Sequence, residues 1–125
     1  MKYILIPVLL LAVFAGFLIY KPIKTVSDVP ATTDMILFWG EGCPHCETVK
    51  KYISENNIEK KLTISQLEVY YNRTNQKLLG EKVNQCDEIT DKNQVGVPLA
   101  FIPKDGKCLV GDQPIINWLE TSLVK

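Results

Sequence analysis

The sequence predicts an α/β domain with element order β-α-β-α-β-β-α and a four-stranded mixed sheet, placed after an N-terminal transmembrane helix. Three observations carry this. Residues Ile4 to Tyr20 form an almost unbroken apolar run. Met35-Ile36-Leu37-Phe38-Trp39 is a short apolar run of the kind a buried strand presents, and Gly40-Glu41-Gly42-Cys43-Pro44-His45-Cys46 follows it directly. Beyond these, apolar periods alternate between strand-like and helix-like up to the C-terminus.

In chain order, the apolar run of Ile4 to Tyr20 is flanked by Lys2 and Lys21. It is close to the minimum of roughly 17 residues for a span, and longer than the ~7 to 15 residues of a signal-peptide core. Residues 1–21 therefore read as an uncleaved anchor, with a cleaved signal around Val13-Phe14-Ala15 as the alternative. No cysteine follows closely, which argues against a lipoprotein anchor. The nearly balanced flanking charges leave orientation open. Residues 22–33 contain Pro22 and Pro30 with Ser, Thr and Asp, lack an apolar period and read as a tether. Residues 34–125 read as the globular domain.

Within that domain, Met35 to Trp39 is the first strand. Val49, Tyr52 and Ile53 recur at helical spacing after the cysteines. Asn56 to Lys61 is a polar break. Leu62 to Tyr70 alternates and predicts a strand. Asn72 to Thr90 carries Leu78, Leu79, Val83 and Cys86 at helical spacing, and Asp91 to Gln94 a turn. Leu99 to Ile102, the turn Lys104-Asp105-Gly106-Lys107 and Cys108 to Val110 predict a hairpin. Asp112 as cap and Pro114 in the first turn open a last helix with Ile115, Ile116, Leu119 and Leu123 inward. Cys108 and Val110 share a strand face, predicted to lie buried under the helix ending near Cys86.

The cysteine pair carries the chemistry. Cys43 falls at or near a helix N-cap with Pro44 at the first helical position, where a missing N–H costs nothing. Free N–H groups and the positive end of the helix dipole favour a thiolate at Cys43. His45, the only histidine, adds a donor or a positive charge. Together these lower a cysteine pKa from its ordinary ~8.5. Cys46, one turn on, is placed to resolve a mixed disulfide. The competing readings are a structural disulfide or half of a zinc site. No second CxxC or HxxxH completes a tetrahedral set, so no metal is expected.

Composition excludes other classes. The chain has 125 residues with 14 basic and 14 acidic side chains, and no basic stripe points to nucleic acid. The remaining cysteines, Cys86 and Cys108, read either as a second disulfide joining helix to sheet or as two small buried hydrophobes. Trp39 is expected to pack beneath the site, and Glu41 and Glu47 to face solvent.

The residues from about 35 to 124 resemble the thioredoxin fold. Leu37 to Cys43, with Trp39 ahead of the first cysteine, resembles that fold's active-site strand and loop. Val95-Gly96-Val97-Pro98-Leu99-Ala100-Phe101-Ile102 followed by Asp105-Gly106 resembles its cis-proline segment and hairpin. The resemblance implies a cis bond before Pro98, with the Val97 backbone open to an incoming peptide as an added strand. The domain is minimal and glutaredoxin-like in element count, because the opening strand and helix of full thioredoxins are missing. Leu37 stands where these proteins often carry a buried acid that moves a proton to and from the second cysteine. Cys-Pro-His-Cys and the Val97-Pro98 pair resemble the DsbA family of periplasmic disulfide oxidases, without that family's helical insertion. The resemblance implies a membrane-anchored, extracytoplasmic protein-disulfide oxidoreductase, an oxidase or isomerase before a reductase. It would need no cofactor, would exchange with protein thiols and disulfides through Cys43 and Cys46, and would be recycled by a membrane redox partner. A reductase and a copper- or zinc-handling module of the same fold are the alternatives.

Overall fold

A computed structural model describes residues 29–124. The apolar segment and most of the tether lie outside the described residues, as does Lys125. Among the described residues no helix is long and apolar enough to cross a membrane. The elements are β1 (Met35–Trp39), α1 (Pro44–Glu55), a 3₁₀ turn (Ile58–Lys60), β2 (Ile64–Glu68), α2 (Arg73–Asn84), β3 (Leu99–Ile102), β4 (Lys107–Val110) and α3 (Asp112–Leu123). The four strands form one mixed sheet in the order β2-β1-β3-β4. β1 runs parallel to β2, with Met35 opposite Ile64. β3 runs antiparallel to β1, with Leu37 opposite Ala100, and β4 antiparallel to β3, with Phe101 opposite Cys108. This mixed α/β arrangement of four strands and three helices fits a minimal thioredoxin-like fold.

β1 is an inner strand covered on both faces, so it reads as a continuous apolar run rather than an alternating one. Met35 and Leu37 point into one cluster with Val49 and Ile53 of α1, Ile58, and Ile115 and Leu119 of α3. Ile36 and Phe38 point into the other, with Val83 of α2, Leu99, Phe101, Cys86 and Cys108. Each fully buried Leu, Ile or Phe contributes roughly 1.5–3 kcal/mol relative to exposure. Leu37 is fully buried in the first cluster. Its neighbours are hydrocarbon, and a carboxylate placed among them would have to stay protonated.

Several elements depart from the sequence reading. The polar break holds the 3₁₀ turn, with Ile58 fully buried. Asn57 opens it at φ 51, a left-handed conformation that asparagine tolerates better than most residues. The second strand is shorter than Leu62 to Tyr70, and it is half-buried throughout because it lies at the sheet edge. α2 stops at Asn84, not near Thr90, with Gln85 as its C-cap. Cys86 therefore lies just past the helix. The Cys86 N–H still bonds the Val83 carbonyl at 3.1 Å, and this last turn keeps Cys86 in Val83's cluster. Asp112 is not the cap of the last helix. Gly111, at φ 92, is the cap, and Asp112 is the first helical residue. Val110 is 46% exposed while Cys108 is 6% exposed, so the buried cover reaches Cys108 and stops short of the strand end. Val29 packs against the second cluster, and the buried Thr33 hydroxyl is 3.2 Å from the Ser65 hydroxyl.

Candidate active site

The loop from β1 to α1 is built by two glycines. Gly42 adopts φ +74, which a side chain would strain. Gly40 lies under the Tyr70 ring, where a β-carbon would collide with the ring carbons. The Cys43 N–H closes the turn on the Gly40 carbonyl at 3.2 Å. Cys43 is the N-cap of α1, in extended conformation, and Pro44 follows in the first turn. The Cys46 N–H donates to Cys43 Sγ at 3.2 Å. A sulfur thus takes the place that a serine or aspartate oxygen holds in an ordinary cap. The two cysteines are joined, with Cα atoms 5.2 Å apart. Cys43 is 7% exposed and Cys46 fully buried, so of the two only Cys43 reaches the surface.

Pro44 and His45 are exposed at the start of the helix. His45 turns to Asp112 at the start of α3, with Nδ1 3.2 Å from Oδ2. That hydrogen bond, together with the Gln113 N–H, holds the Asp112 carboxyl below its ordinary value against the opposing effect of partial desolvation. The His45 ring is thus anchored on Asp112. Glu41 and Glu47 are exposed. Trp39 is half-buried beside the loop, and Lys50 Nζ sits 3.8 Å from its ring centroid and 3.2 Å from Glu47.

The chain returns to the site at Val97-Pro98. The peptide bond between them is cis. The Val97 carbonyl oxygen lies 3.6 Å from Cys43 Sγ. The Pro98 carbonyl accepts the Gly111 N–H at 2.9 Å, which ties this segment to the start of α3. Cys86 and Cys108 are also joined, with Cα atoms 5.6 Å apart and a sequence separation of 22. They lie within the second cluster, and the chain they close carries Val97 and Pro98.

One part of the site has no counterpart in the sequence reading. At the end of β2, Glu68 turns its carboxylate forward to accept the N–H groups of Tyr70 at 2.6 Å and Tyr71 at 3.0 Å, with a longer contact to the Glu41 N–H at 3.5 Å. Partial desolvation works against the charge there. The backbone donors outweigh it, and the carboxyl sits below its ordinary value. In the sequence Glu68 is one polar residue of an alternating strand, and nothing marks it as a clasp. The nearest signal is Asn72, whose side chain caps α2 and so requires a turn just before it.

Among the described residues no group of three or more His, Cys, Asp or Glu side chains is arranged to hold a metal ion. No protein-family model, curated protein or solved structure matches the chain. The paired cysteines at a helix start in a mixed α/β fold are compatible with thiol–disulfide chemistry.

Proposed function

We propose that this protein is a thiol–disulfide oxidoreductase, anchored through residues 1–21 and acting on protein thiols at the outer face of a membrane. The observation that carries the reading is the Cys43 cap: the sulfur left behind when the disulfide opens already holds the Cys46 N–H at 3.2 Å and sits at the positive end of α1. A substrate thiolate attacks Cys43 Sγ, the Cys43–Cys46 bond breaks, and Cys46 leaves as a thiolate that takes up a proton. A second substrate thiolate then attacks the substrate sulfur of the mixed disulfide, and Cys43 leaves as a thiolate. The substrate dithiol loses two electrons and gains a disulfide, and the Cys43/Cys46 pair gains both electrons. No cofactor takes part. A stabilised Cys43 thiolate favours this oxidising direction, or isomerisation, over reduction. A membrane redox partner then restores the disulfide.

The Val97 backbone beside Cys43 is the docking edge in this reading, with the substrate segment laid against it as an added strand. Cys46→Ser tests the chemistry. Its Cys43 thiol lacks a resolving partner, so a disulfide-bearing protein should accumulate as a mixed disulfide at Cys43. Cys43→Ser should trap nothing. Equal trapping by both variants contradicts the roles. For location, alkaline phosphatase fused after Lys125 should be active in a bacterial host, and carbonate washing should leave the protein in membranes. A stable but inactive fusion places the domain on the other side.

A further inference from the structure

We propose that Tyr70 and Tyr71 form a substrate-selecting edge beside the disulfide. They would grip an apolar side chain two or three residues from the attacking cysteine of an extended polypeptide. The inference rests on the thiol–disulfide reading above. Four large hydrophobics among the described residues are exposed: Tyr70 at 52%, Tyr71 at 82%, Val110 at 46% and Val124 at 88%. The first three share one rim of the sheet. β1, β2 and β4 all point the same way, so the turn after β2, the loop after β1 and the end of β4 lie at the same end of the sheet, with the first two adjacent. That rim carries Cys43.

Slack does not explain the exposure of the tyrosines. Glu68 clasps the N–H groups of both residues. Asn75 Nδ2 donates to the Glu68 carbonyl at 2.8 Å, and Gln76 Nε2 to the Val69 carbonyl at 2.6 Å. The Tyr70 ring rests on Gly40, three residues before Cys43, so the turn and the CxxC loop hold each other. A rigid backbone thus presents two aromatic rings to water, and aromatic rings offer large contact area at low entropic cost.

The disulfide decides the occupant. Any thiolate that reaches Cys43 Sγ brings its flanking residues across this rim. Neighbouring strands lie ~4.8 Å apart and an extended chain rises ~3.3 Å per residue. One to two strand spacings from the attacked sulfur therefore correspond to roughly two or three residues of substrate.

The test uses the full-length oxidised protein and second-order rates of reduction by three thiols. These are glutathione, a cysteine peptide with Leu two and three positions from the cysteine, and the same peptide with Ser there. Wild type should prefer the Leu peptide over the Ser peptide about tenfold, equivalent to ~1.4 kcal/mol. That ratio should fall to within about twofold in Tyr71→Ser and persist in Tyr71→Phe. A wild type without the preference, or a preference that survives in the Tyr70→Ser, Tyr71→Ser double variant, overturns the inference. So does a concentration-dependent dimer abolished by Tyr71→Ser, which gives the rim to a second copy. Failure of glutathione to open the disulfide contradicts the thiol–disulfide reading itself, and the inference with it.

Discussion

His45 Nδ1 lies 3.2 Å from Asp112 Oδ2, so the first turn of α1 and the first turn of α3 are pinned together beside the cysteines. The contact is an ion pair whenever the imidazole is protonated. It contributes to the acid limb of stability. The Asp112 carboxyl is held below its ordinary 3.8 by His45 and the Gln113 N–H. A depressed folded-state pKa contributes stability above the unfolded value and loses it as pH falls through the folded one. Glu68, held below its ordinary 4.5, contributes with the same sign. Asp112→Asn and Glu68→Gln should each flatten the dependence of denaturation midpoint on pH below about pH 4.5. Identical acid limbs in the variants and the wild type would show that neither carboxyl carries this linkage.

His45 should also act on the thiolate, though from a distance. The reduced protein should alkylate at Cys43 with a midpoint well below the ordinary thiol value of about 8.5. His45→Ala should slow that alkylation at pH 6 by roughly two- to fivefold, the effect of one charge near a helix end, and should lower the reduction potential. A larger loss would imply a direct bond between ring and sulfur in the reduced state. No change would remove His45 from the tuning.

How much of this was legible in the sequence depends on the range of each interaction. β1, the helix after the cysteines, the β3–β4 hairpin and the last helix followed from apolar period and turn residues, because those signals are local. The 3₁₀ turn was lost because one buried Ile58 among polar neighbours makes no period. α2 was overextended because Val83 and Cys86 keep helical spacing even though the chain leaves the helix between them. The cap at Gly111 was missed because Asp112 is the better capping residue by type; its carboxylate goes instead to His45 and the Gln113 N–H. The cysteine pair at a helix start could be read directly. The approach of Val97 to Cys43 could be read only through resemblance, since they stand 54 positions apart in the chain. The Glu68 clasp is local, spanning two and three residues, but a lone Glu at the end of an alternating strand carries no turn signal of its own.

The Cys86–Cys108 pair closes a loop of 22 residues, and a crosslink of that span stabilises by about 3 kcal/mol through the unfolded chain. Cys86→Ala with Cys108→Ala should lower the melting temperature by roughly 10–20 °C for a domain of this size. Cys43 should still form mixed disulfides with a substrate thiol. Peptide mapping of the oxidised protein should recover Cys86 linked to Cys108. Two free thiols there, with Cys43 and Cys46 fully oxidised, would assign both residues to simple packing.

Gly40→Ala should displace the Tyr70 ring at small cost. The added methyl meets the far end of a half-exposed side chain, which can swing off the CxxC loop. The loss should be about 1 kcal/mol, the low end for overpacking. Pairing the change with Tyr70→Ala should recover most of the loss in a denaturant titration, because the clash then has no partner. Equal destabilisation in the single and double variants would place the strain in the backbone rather than at the ring.

The reduction potential of the Cys43–Cys46 disulfide tests the central claim most directly. The protein is equilibrated with glutathione redox buffers, its thiols are trapped, and the fraction reduced at Cys43 and Cys46 is fitted to a two-electron transition. A thiolate held by the Cys46 N–H and the start of α1 should give a reversible transition above about −200 mV, in the oxidising range. A disulfide that stays closed until below about −300 mV behaves as a structural crosslink, and that result would contradict the account.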